Sequence, residues 1–380
     1  MRRIYLDYNA TTPIAPEVRE AMQPFLAEHF GNPSSDHSLG RACAEAISDG
    51  REQLATLIGV DADEMYFTGG GTESNNLAMK GIFLGDTSFL TGHMIISEIE
   101  HPATVVPANY LEKHGVAVTR VACDSLGFVD PEDVRSAMRP DTKLVSIMLA
   151  NNEVGAIQPL SDIAAICREH GALCHTDAAQ AVGKIYFDAK QLGVDMLTIA
   201  GHKLYAPKGI GAIYVGDHVD LTSLLHGASH ERGLRAGTEN TPYIVGLGRA
   251  AKLANVRMAE DSSGEASAMR DLLWEKIQGG LQENVVANSD LERCLPNTLS
   301  VSFRGVHGHE LLAATPEICA STGAACHSGP QQLSATLAAM KMDVGTASGT
   351  VRLSTGAYTT EDEIERASRM LVEAYQRLRA

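Results

Sequence analysis

The sequence predicts an α/β protein with a mostly parallel sheet covered by helices, followed by a smaller α+β domain. Between about residues 60 and 215, short and nearly continuous apolar runs alternate with stretches of helical periodicity. Such runs are typical of parallel strands that are buried on both faces. After about residue 255 the pattern changes to a polar stretch, a long helical run, separated strands and a final helix. We therefore expect two domains of unequal size in this chain of 380 residues.

The individual elements follow from these patterns in chain order. Strands of the large domain are predicted at residues 65–68, 94–97, 144–149, 172–176, 196–199 and 211–215, and strands of the small domain at 298–303 and 318–322. Thr360 and Glu363 are spaced as a capping box at the start of the final helix, whose apolar stripe is Ile364, Ala367, Leu371 and Ala374. The predicted divisions are an N-terminal segment 1–13 near the active site or on the small domain, a large domain 14–255 and a small domain 256–380.

Composition excludes several classes of function. The formal net charge of -16 argues against a surface that binds nucleic acid or an anionic membrane. No run approaches the ~18 apolar residues of a membrane span, and no signal peptide is apparent. The seven cysteines lack a CxxC pair, so we expect a cytoplasmic protein without a disulfide framework or a metal site. They lie at positions 43, 123, 167, 174, 294, 319 and 326.

A glycine-rich turn follows the first predicted strand of the sheet. Residues 69–76 read GGGTESNN and lead into a helical pattern. Glycines allow the backbone to approach an anion closely, and the first N–H groups of a helix stabilise it. The run lacks both the GxGxxG spacing of a dinucleotide site and the GK[ST] ending of a P-loop. It therefore favours a small phosphorylated cofactor, with a glycine turn that binds nothing as the alternative.

Polar residues follow three other predicted strands. Lys203 lies just beyond an apolar strand, where partial burial lowers a lysine pKa and favours a Schiff base. Asp177 ends the neighbouring strand and is placed to keep a pyridinium nitrogen protonated. His101 could stack on a flat ring or move protons. Each residue also has a structural alternative: an exposed loop lysine, a helix N-cap and a structural histidine.

The chain resembles the cysteine desulfurases and the similar selenocysteine lyases, which belong to the class V aminotransferase group of fold-type I pyridoxal-phosphate enzymes. The resemblance covers nearly the whole chain and implies a seven-stranded type of sheet in the large domain. It rests on an ordered set of motifs: YLDYNATTP at 5–13, GNPSS at 31–35, GGTESNN at 70–76, EHP at 100–102, NNEVG at 151–155, TDAAQ at 176–180, GHK at 201–203, RAGTEN at 235–240 and GAAC at 323–326.

The resemblance implies a role for each matching residue, with pyridoxal 5′-phosphate as cofactor. Lys203 would form the Schiff base with the cofactor, Asp177 would pair with the pyridine nitrogen, and His101 would stack on the ring and relay protons. Gln180 would bond the ring hydroxyl oxygen. The phosphate would be held by Gly71, Thr72 and His202, and by Thr238 from the partner subunit of a homodimer. Asn152 and Arg352 would bind the substrate carboxylate, for which the arginine fork is suited.

One residue departs from the pattern of the family. Ala200 stands where a serine usually adds a hydroxyl to the phosphate site. The loss of one neutral hydrogen bond costs about 1 kcal/mol, so we expect cofactor binding to survive. The selenocysteine lyases also resemble this chain at Ala200 and in the run GAACHS at 323–328. L-selenocysteine therefore stays an alternative substrate to L-cysteine.

Cys326 follows a run of small residues and precedes loop-like sequence. A cysteine on a loop can reach both a cofactor and an external acceptor, and the long interval before Arg352 resembles the long-loop group of the family. As a thiolate, Cys326 would attack the sulfur or selenium of L-cysteine or L-selenocysteine. Alanine and a persulfide or selenopersulfide would result, and the sulfur would pass to an acceptor protein. The other six cysteines are expected to be structural, with Cys319 buried in a strand.

Other functions remain open from the sequence. A transaminase on the same scaffold would not need Cys326, and a selenocysteine lyase would be poor with cysteine. An inactive binding partner in a sulfur-transfer assembly would have no need to keep Lys203, Asp177, Cys326 and Arg352 together. An iron-sulfur scaffold, a nucleic-acid-modifying system and a cofactor pathway are all compatible acceptors of the sulfur.

Overall fold

The computed structural model describes residues 3–85, 90–260, 262–322 and 333–380. Its strands are, in chain order, β1 (Ile4–Tyr5), β2 (Met65–Thr68), β3 (His93–Ser97), β4 (Ala117–Val121), β5 (Thr142–Ser146), β6 (Leu173–Asp177), β7 (Met196–Ala200), β8 (Gly211–Val215), β9 (Val285–Ala287), β10 (Thr298–Phe303), β11 (Ile318–Cys319), β12 (Ser321–Thr322) and β13 (Thr350–Ser354). Its helices are α1 (Pro16–Ala27), α2 (Ser38–Ile58), α3 (Gly71–Phe83), α4 (Pro102–Lys113), α5 (Pro131–Ala137), α6 (Leu160–His170), α7 (Ala189–Leu192), α8 (Thr241–Ala259), α9 (Ser262–Leu281), α10 (Gly308–Ala313), α11 (Ala335–Ala339), α12 (Val344–Ser348) and α13 (Glu361–Arg379).

The large sheet has seven strands within the described ranges, in the order β2-β8-β7-β6-β5-β3-β4. Strands β3 to β7 pair in parallel, and β8 is antiparallel to both of its neighbours. Both faces are covered. Val145 packs in one hydrophobic core, and its neighbour Leu144 packs in a second core on the other face. The predicted mostly parallel sheet with helices on both sides is confirmed.

The small domain is built on an antiparallel sheet of order β12-β13-β10-β9 in the described part of the chain. Helix α13 packs against it with a buried stripe of Ile364, Ala367, Leu371 and Ala374. Thr360 and Glu363 form the capping box at the start of α13. Both predictions for the final helix are therefore confirmed. None of the helices in the described ranges is long and apolar enough to cross a membrane.

The N-terminal segment crosses between the two domains. Strand β1 pairs in parallel with β11, and its Ile4 lies in the core of the small domain. Further along, the backbone N–H of Thr12 donates to the carbonyl oxygen of His202 at 2.9 Å. The segment thus contacts both the small domain and the end of β7. The boundary predicted at 255/256 falls within α8, and the three-part division of the chain stays a prediction.

Several elements differ from the predicted ones. The strand predicted at 144–149 ends at Ser146, although the backbone N–H of Ile147 still bonds to β6. The run predicted at 318–322 divides into β11 and β12, which belong to different sheets. Strands β1, β4, β9 and β13 were not predicted. Cys319, expected to be buried, is half-exposed on β11.

Candidate active site

A cavity of about 460 Å³ lies beyond the carboxyl ends of β5, β6 and β7. Ligands of open α/β sheets bind at this edge, because the loops that follow parallel strands converge there. The cavity is lined by every residue that the sequence assigned to the site except Thr238 and Cys326: Gly71, Thr72, His101, Asn152, Asp177, Gln180, His202, Lys203 and Arg352. The structure therefore brings together residues that are up to 281 positions apart, from Gly71 to Arg352 (352 minus 71).

Lys203 lies in a short 3₁₀ turn directly after β7. Its Nζ donates to the carbonyl oxygen of Asn9 and, at 2.8 Å, to that of Ala10. Burial lowers the pKa of Lys203 to about 8, with a further decrease from the nearby Arg352 charge and an opposing increase from Asp177. A substantial fraction of the amine is therefore neutral near physiological pH, as a nucleophilic lysine requires.

Asp177 ends β6, and both of its carboxylate oxygens accept hydrogen bonds. Its Oδ1 accepts the backbone N–H of Ala179 at 3.0 Å, and its Oδ2 accepts from Asn75 Nδ2 at 2.7 Å. Asn75 lies on α3, is fully buried and also contacts Thr104 through Nδ2. Donors to a carboxylate stabilise its ionised form. Asn75 was missed in the sequence, although its position four residues after Gly71 places it on the same face of the helix.

His101 forms the N-cap of α4. Its Nδ1 accepts the backbone N–H of Ala103 at 3.1 Å. Burial lowers the pKa of His101, against an opposing effect of the Asp177 carboxylate. The imidazole is therefore neutral, and because Nδ1 is an acceptor, the proton lies on Nε2.

Glu100, which precedes His101, is a buried acid that the sequence did not assign to the site. Its Oε1 accepts from Ser97 Oγ at 2.6 Å and from the backbone N–H of Met148 at 2.8 Å. Its Oε2 has no partner among the described residues. Burial raises the pKa of Glu100 to about 8. The carboxyl group is therefore mostly protonated at neutral pH, and its hydrogen bonds join the loop after β3 to the loop after β5.

The glycine-rich turn begins helix α3 beside the cavity. Gly70 has a φ of 147°, which other residues rarely adopt. A Cβ at Gly71 would lie 3.2 Å from the Cβ of Ala200, so this position has little space for a side chain. Burial and the charges of Lys203 and Lys208 lower the pKa of His202 to about 4 in the ligand-free chain.

Arg352 projects from β13 and is nearly buried. Its Nη2 lies 2.7 Å from Asp7 Oδ1, and its Nη1 donates to the carbonyl oxygen of Asn152 at 2.9 Å. Its Nε is buried and has no partner in the described ranges. An unpaired donor of a buried guanidinium is a ready partner for an anionic ligand. Asp7 was not predicted as part of this site.

Asn9 is a further residue that the sequence did not assign. Its Nδ2 donates to Thr298 Oγ1 at 2.8 Å, and its Oδ1 accepts from Lys184 Nζ at 2.8 Å. Its carbonyl oxygen accepts from Gln180 Nε2 at 3.0 Å as well as from Lys203. Asn9 thus connects the small domain to the end of β7, and no short-range sequence signal reveals these contacts.

Two predicted residues lie outside the cavity or outside the described structure. Thr238 is exposed and does not line the cavity of its own chain. Cys326 lies outside the described residues. Among the described residues, no group of three or more histidine, cysteine, aspartate or glutamate side chains could hold a metal ion.

The residues of the cavity fit pyridoxal 5′-phosphate. A lysine with a lowered pKa, an aspartate at the end of the adjacent strand and a glycine-rich helix start border the same space. Arg352 also lines this space and adds a guanidinium for an anion. The cofactor aldehyde would react with the lysine, its pyridine nitrogen would pair with the aspartate, and its phosphate would bind at the start of the helix.

Comparison with known proteins agrees with this chemistry. The model of the family "Aminotransferase class-V" matches residues 4–367. The chain is 41% identical to cysteine desulfurase IscS of Dictyoglomus turgidum over 100% of this chain and 96% of that protein. It is 42% identical to a cysteine desulfurase of a Nostoc species over 100% of this chain and 94% of the other.

Solved structures of similar proteins lead to the same family. A NifS-like protein superposes with a TM-score of 0.89 at 36% identity, covering 99% of each chain. A structure titled SspA in complex with cysteine superposes with a TM-score of 0.81 at 36% identity, covering 94% of this chain and 99% of the other. The chain belongs to the class V aminotransferase family and, within it, to the pyridoxal-phosphate-dependent cysteine desulfurases.

Proposed function

We propose that the protein converts L-cysteine to L-alanine and places the sulfur on Cys326 as a persulfide for transfer to an acceptor protein. The observation that carries the proposal is the convergence of Lys203, Asp177 and Arg352 on one cavity. Lys203 supplies an amine with a pKa of about 8, and Arg352 supplies a donor for a carboxylate. This combination suits an amino acid substrate whose amine is activated by a carbonyl cofactor.

Four groups of the cavity would hold pyridoxal phosphate. Asp177 would bond the pyridine nitrogen, and Gln180 the ring oxygen. The start of α3, with Gly71 and Thr72, would bind the phosphate together with His202. When bound, the cofactor withdraws electrons from the α-carbon of the substrate. The carboxylate of Asp177 would strengthen that effect, and Asn75 orients it by donating to its Oδ2 at 2.7 Å.

Lys203 would also act as the base at the α-carbon. The neutral amine, once it is not joined to the cofactor, takes the proton from the substrate at its Nζ. The carbonyl oxygens of Asn9 and Ala10 accept from this Nζ in the present structure. They would therefore stabilise the lysine after it has become positively charged.

Arg352 would orient the substrate through its carboxylate, together with Asn152. The guanidinium is fixed by Asp7 and by the carbonyl oxygen of Asn152, and these two bonds leave further N–H groups for a ligand. A fixed arginine places a substrate at a smaller entropic cost than a mobile one.

Cys326 would receive the sulfur. Its thiolate forms a new S–S bond with the substrate sulfur while the carbon–sulfur bond of the substrate breaks. The carbon keeps the electron pair and takes up a proton, which gives alanine. The loop-like sequence that follows Cys326 supports this role.

We also propose that the protein is a cytoplasmic homodimer in which Thr238 reaches the phosphate site of the partner subunit. Thr238 is exposed and lies outside the cavity of its own chain, which supports a role across an interface. The six described cysteines are free thiols, in keeping with a reducing compartment.

The decisive experiment is turnover of the cofactor-loaded enzyme with L-cysteine and L-selenocysteine in parallel, measured as alanine and as sulfide or selenide. We expect turnover of cysteine in the presence of a thiol reductant. The Cys326→Ala variant should keep the visible band of the cofactor and lose sulfide production, whereas Cys123→Ala should retain both. Turnover of selenocysteine alone would identify a selenocysteine lyase, and sulfide production by Cys326→Ala at the wild-type rate would contradict the role of that cysteine.

A further inference from the structure

Lys184 is a partly buried lysine that none of the roles above uses. It lies in the turn that follows Asp177, four residues after Gln180. Its Nζ donates to Gln180 Oε1 at 2.7 Å and to Asn9 Oδ1 at 2.8 Å. A lysine amine inside a protein requires such acceptors. Both of these acceptors belong to residues that surround the cofactor cavity.

The contact with Lys184 determines which end of the Gln180 amide faces the cavity. Because the lysine donates, the amide oxygen is turned toward it and the amide nitrogen is turned away. Nε2 donates one hydrogen to the carbonyl oxygen of Asn9 at 3.0 Å. The reversed amide would place its oxygen against that carbonyl oxygen, so both neighbours favour the same orientation. The second hydrogen of Nε2 has no acceptor among the described residues of the chain.

We propose that Lys184 is a positioning residue that holds the Gln180 amide with its remaining N–H toward the ring oxygen of the bound cofactor. The inference rests on the proposed function, since it assigns a support to one of the cofactor contacts named there. A hydrogen-bond donor to an anionic ring oxygen stabilises the negative charge on that oxygen. It would therefore lower the proton affinity of the nearby Lys203 nitrogen when this lysine is joined to the cofactor.

The environment of Lys184 agrees with a positioning role. Burial lowers its pKa well below the ordinary value, and the positive charges of Lys203 and Arg352 lower it further. In either protonation state the amine has the two hydrogens that its two acceptors require. Lys184 also lines a second cavity of about 500 Å³ between the two domains, beside Arg257 and Tyr205. A side chain of similar length can therefore replace it without overpacking.

The test is the pH midpoint at which the visible band of the loaded enzyme titrates. Lys184→Met removes the donor to Gln180 and should shift the midpoint upward by about 0.5 to 1 pH unit, the size that one hydrogen bond contributes. The control is Lys190→Met at an exposed lysine that pairs with Asp61, and its midpoint should equal that of the wild type. Lys184→Arg keeps the donors and should show no upward shift of the midpoint.

A double variant separates positioning from general destabilisation. Gln180→Leu removes the donor itself and should shift the midpoint in the same direction. If Lys184 acts through Gln180, Lys184→Met adds nothing further in the Gln180→Leu background. An unshifted midpoint in Lys184→Met, the same shift in Lys184→Arg, or an additive shift in the double variant each overturns the inference. A wild-type protein that acquires no visible band with pyridoxal phosphate would instead contradict the proposed function.

Discussion

At the scale of single residues, the chemistry depends on polar groups whose proton affinities are set by burial. Lys203 has its pKa lowered to about 8, whereas Glu100 has its pKa raised to about 8. The directions are opposite because burial disfavours the charged form of either group. Near neutral pH the site therefore contains a lysine that is partly neutral and a carboxylic acid that is mostly protonated.

The pKa of Lys203 predicts how the cofactor-free enzyme captures pyridoxal phosphate. Only the neutral amine attacks the cofactor aldehyde, so the capture rate should rise with pH through a midpoint near 8. Stopped-flow recording of the visible band across this range measures the midpoint. Lys203→Ala should form no such band. A midpoint near the ordinary lysine value of 10.5 would show that burial does not activate this amine.

At the scale of elements, the start of α3 combines tight packing with the proposed phosphate site. Gly71→Ala would place a Cβ at 3.2 Å from Ala200 Cβ and displace the turn that faces the phosphate. We expect cofactor affinity to fall by about tenfold, equivalent to ~1.4 kcal/mol. Fluorescence titration of the cofactor-free enzyme measures the change.

A matched control is available on another helix. Gly279 lies in α9, where an added Cβ meets nothing within 4 Å. Gly279→Ala should leave cofactor affinity unchanged and stabilise the helix by about 0.5–1 kcal/mol. Equal losses of affinity in the two variants would contradict a specific phosphate role for the start of α3.

The elements also show what the sequence could and could not predict. The buried strands of the sheet and the residues Asp177 and Lys203 at their ends were predictable, because continuous apolar runs mark strands that are covered on both faces. Strand β4 was missed because it lies at the edge of the sheet, where its residues are mostly half-exposed. Strand β13 was missed because its five residues include the charged Arg352.

The residues that support the site were hidden for a different reason. Asn75 bonds Asp177 across 102 positions, and Lys184 bonds Asn9 across 175 positions. Local periodicity carries no information about such pairs, since they depend on how distant elements pack. The resemblance to a family identified the residues of the cavity, but not the polar groups behind them.

At the scale of the whole molecule, Asn9 joins the two domains at the active site. It contacts Thr298 and Asn297 of the small domain and Lys184 of the large domain. Asn9→Ala should destabilise the fold by about 1–3 kcal/mol, because buried polar partners lose their hydrogen bonds. It should also weaken cofactor binding, since loss of its Oδ1 removes a contact of Lys184, which also bonds Gln180. Urea unfolding and cofactor titration measure the two effects.

Asn288 provides the matched control for this prediction. It is a buried asparagine that bonds Ser300 and Ser302 within the small domain. Asn288→Ala should lower the free energy of unfolding by a similar amount while leaving cofactor affinity unchanged. If both variants lose affinity equally, the effect of Asn9 is one of general stability and not of the contact with Lys184.

The path of the N-terminal segment has a consequence for the construction of chimaeras. Residues 3–12 are adjacent in sequence to the large domain, but Ile4 and Leu6 belong to the core of the small domain. Asp7 holds Arg352, which extends this association to the cavity. A hybrid enzyme that exchanges only the C-terminal part between relatives would therefore combine a foreign core with a native first strand. The transferable unit is discontinuous, and it must include these first residues together with the C-terminal part.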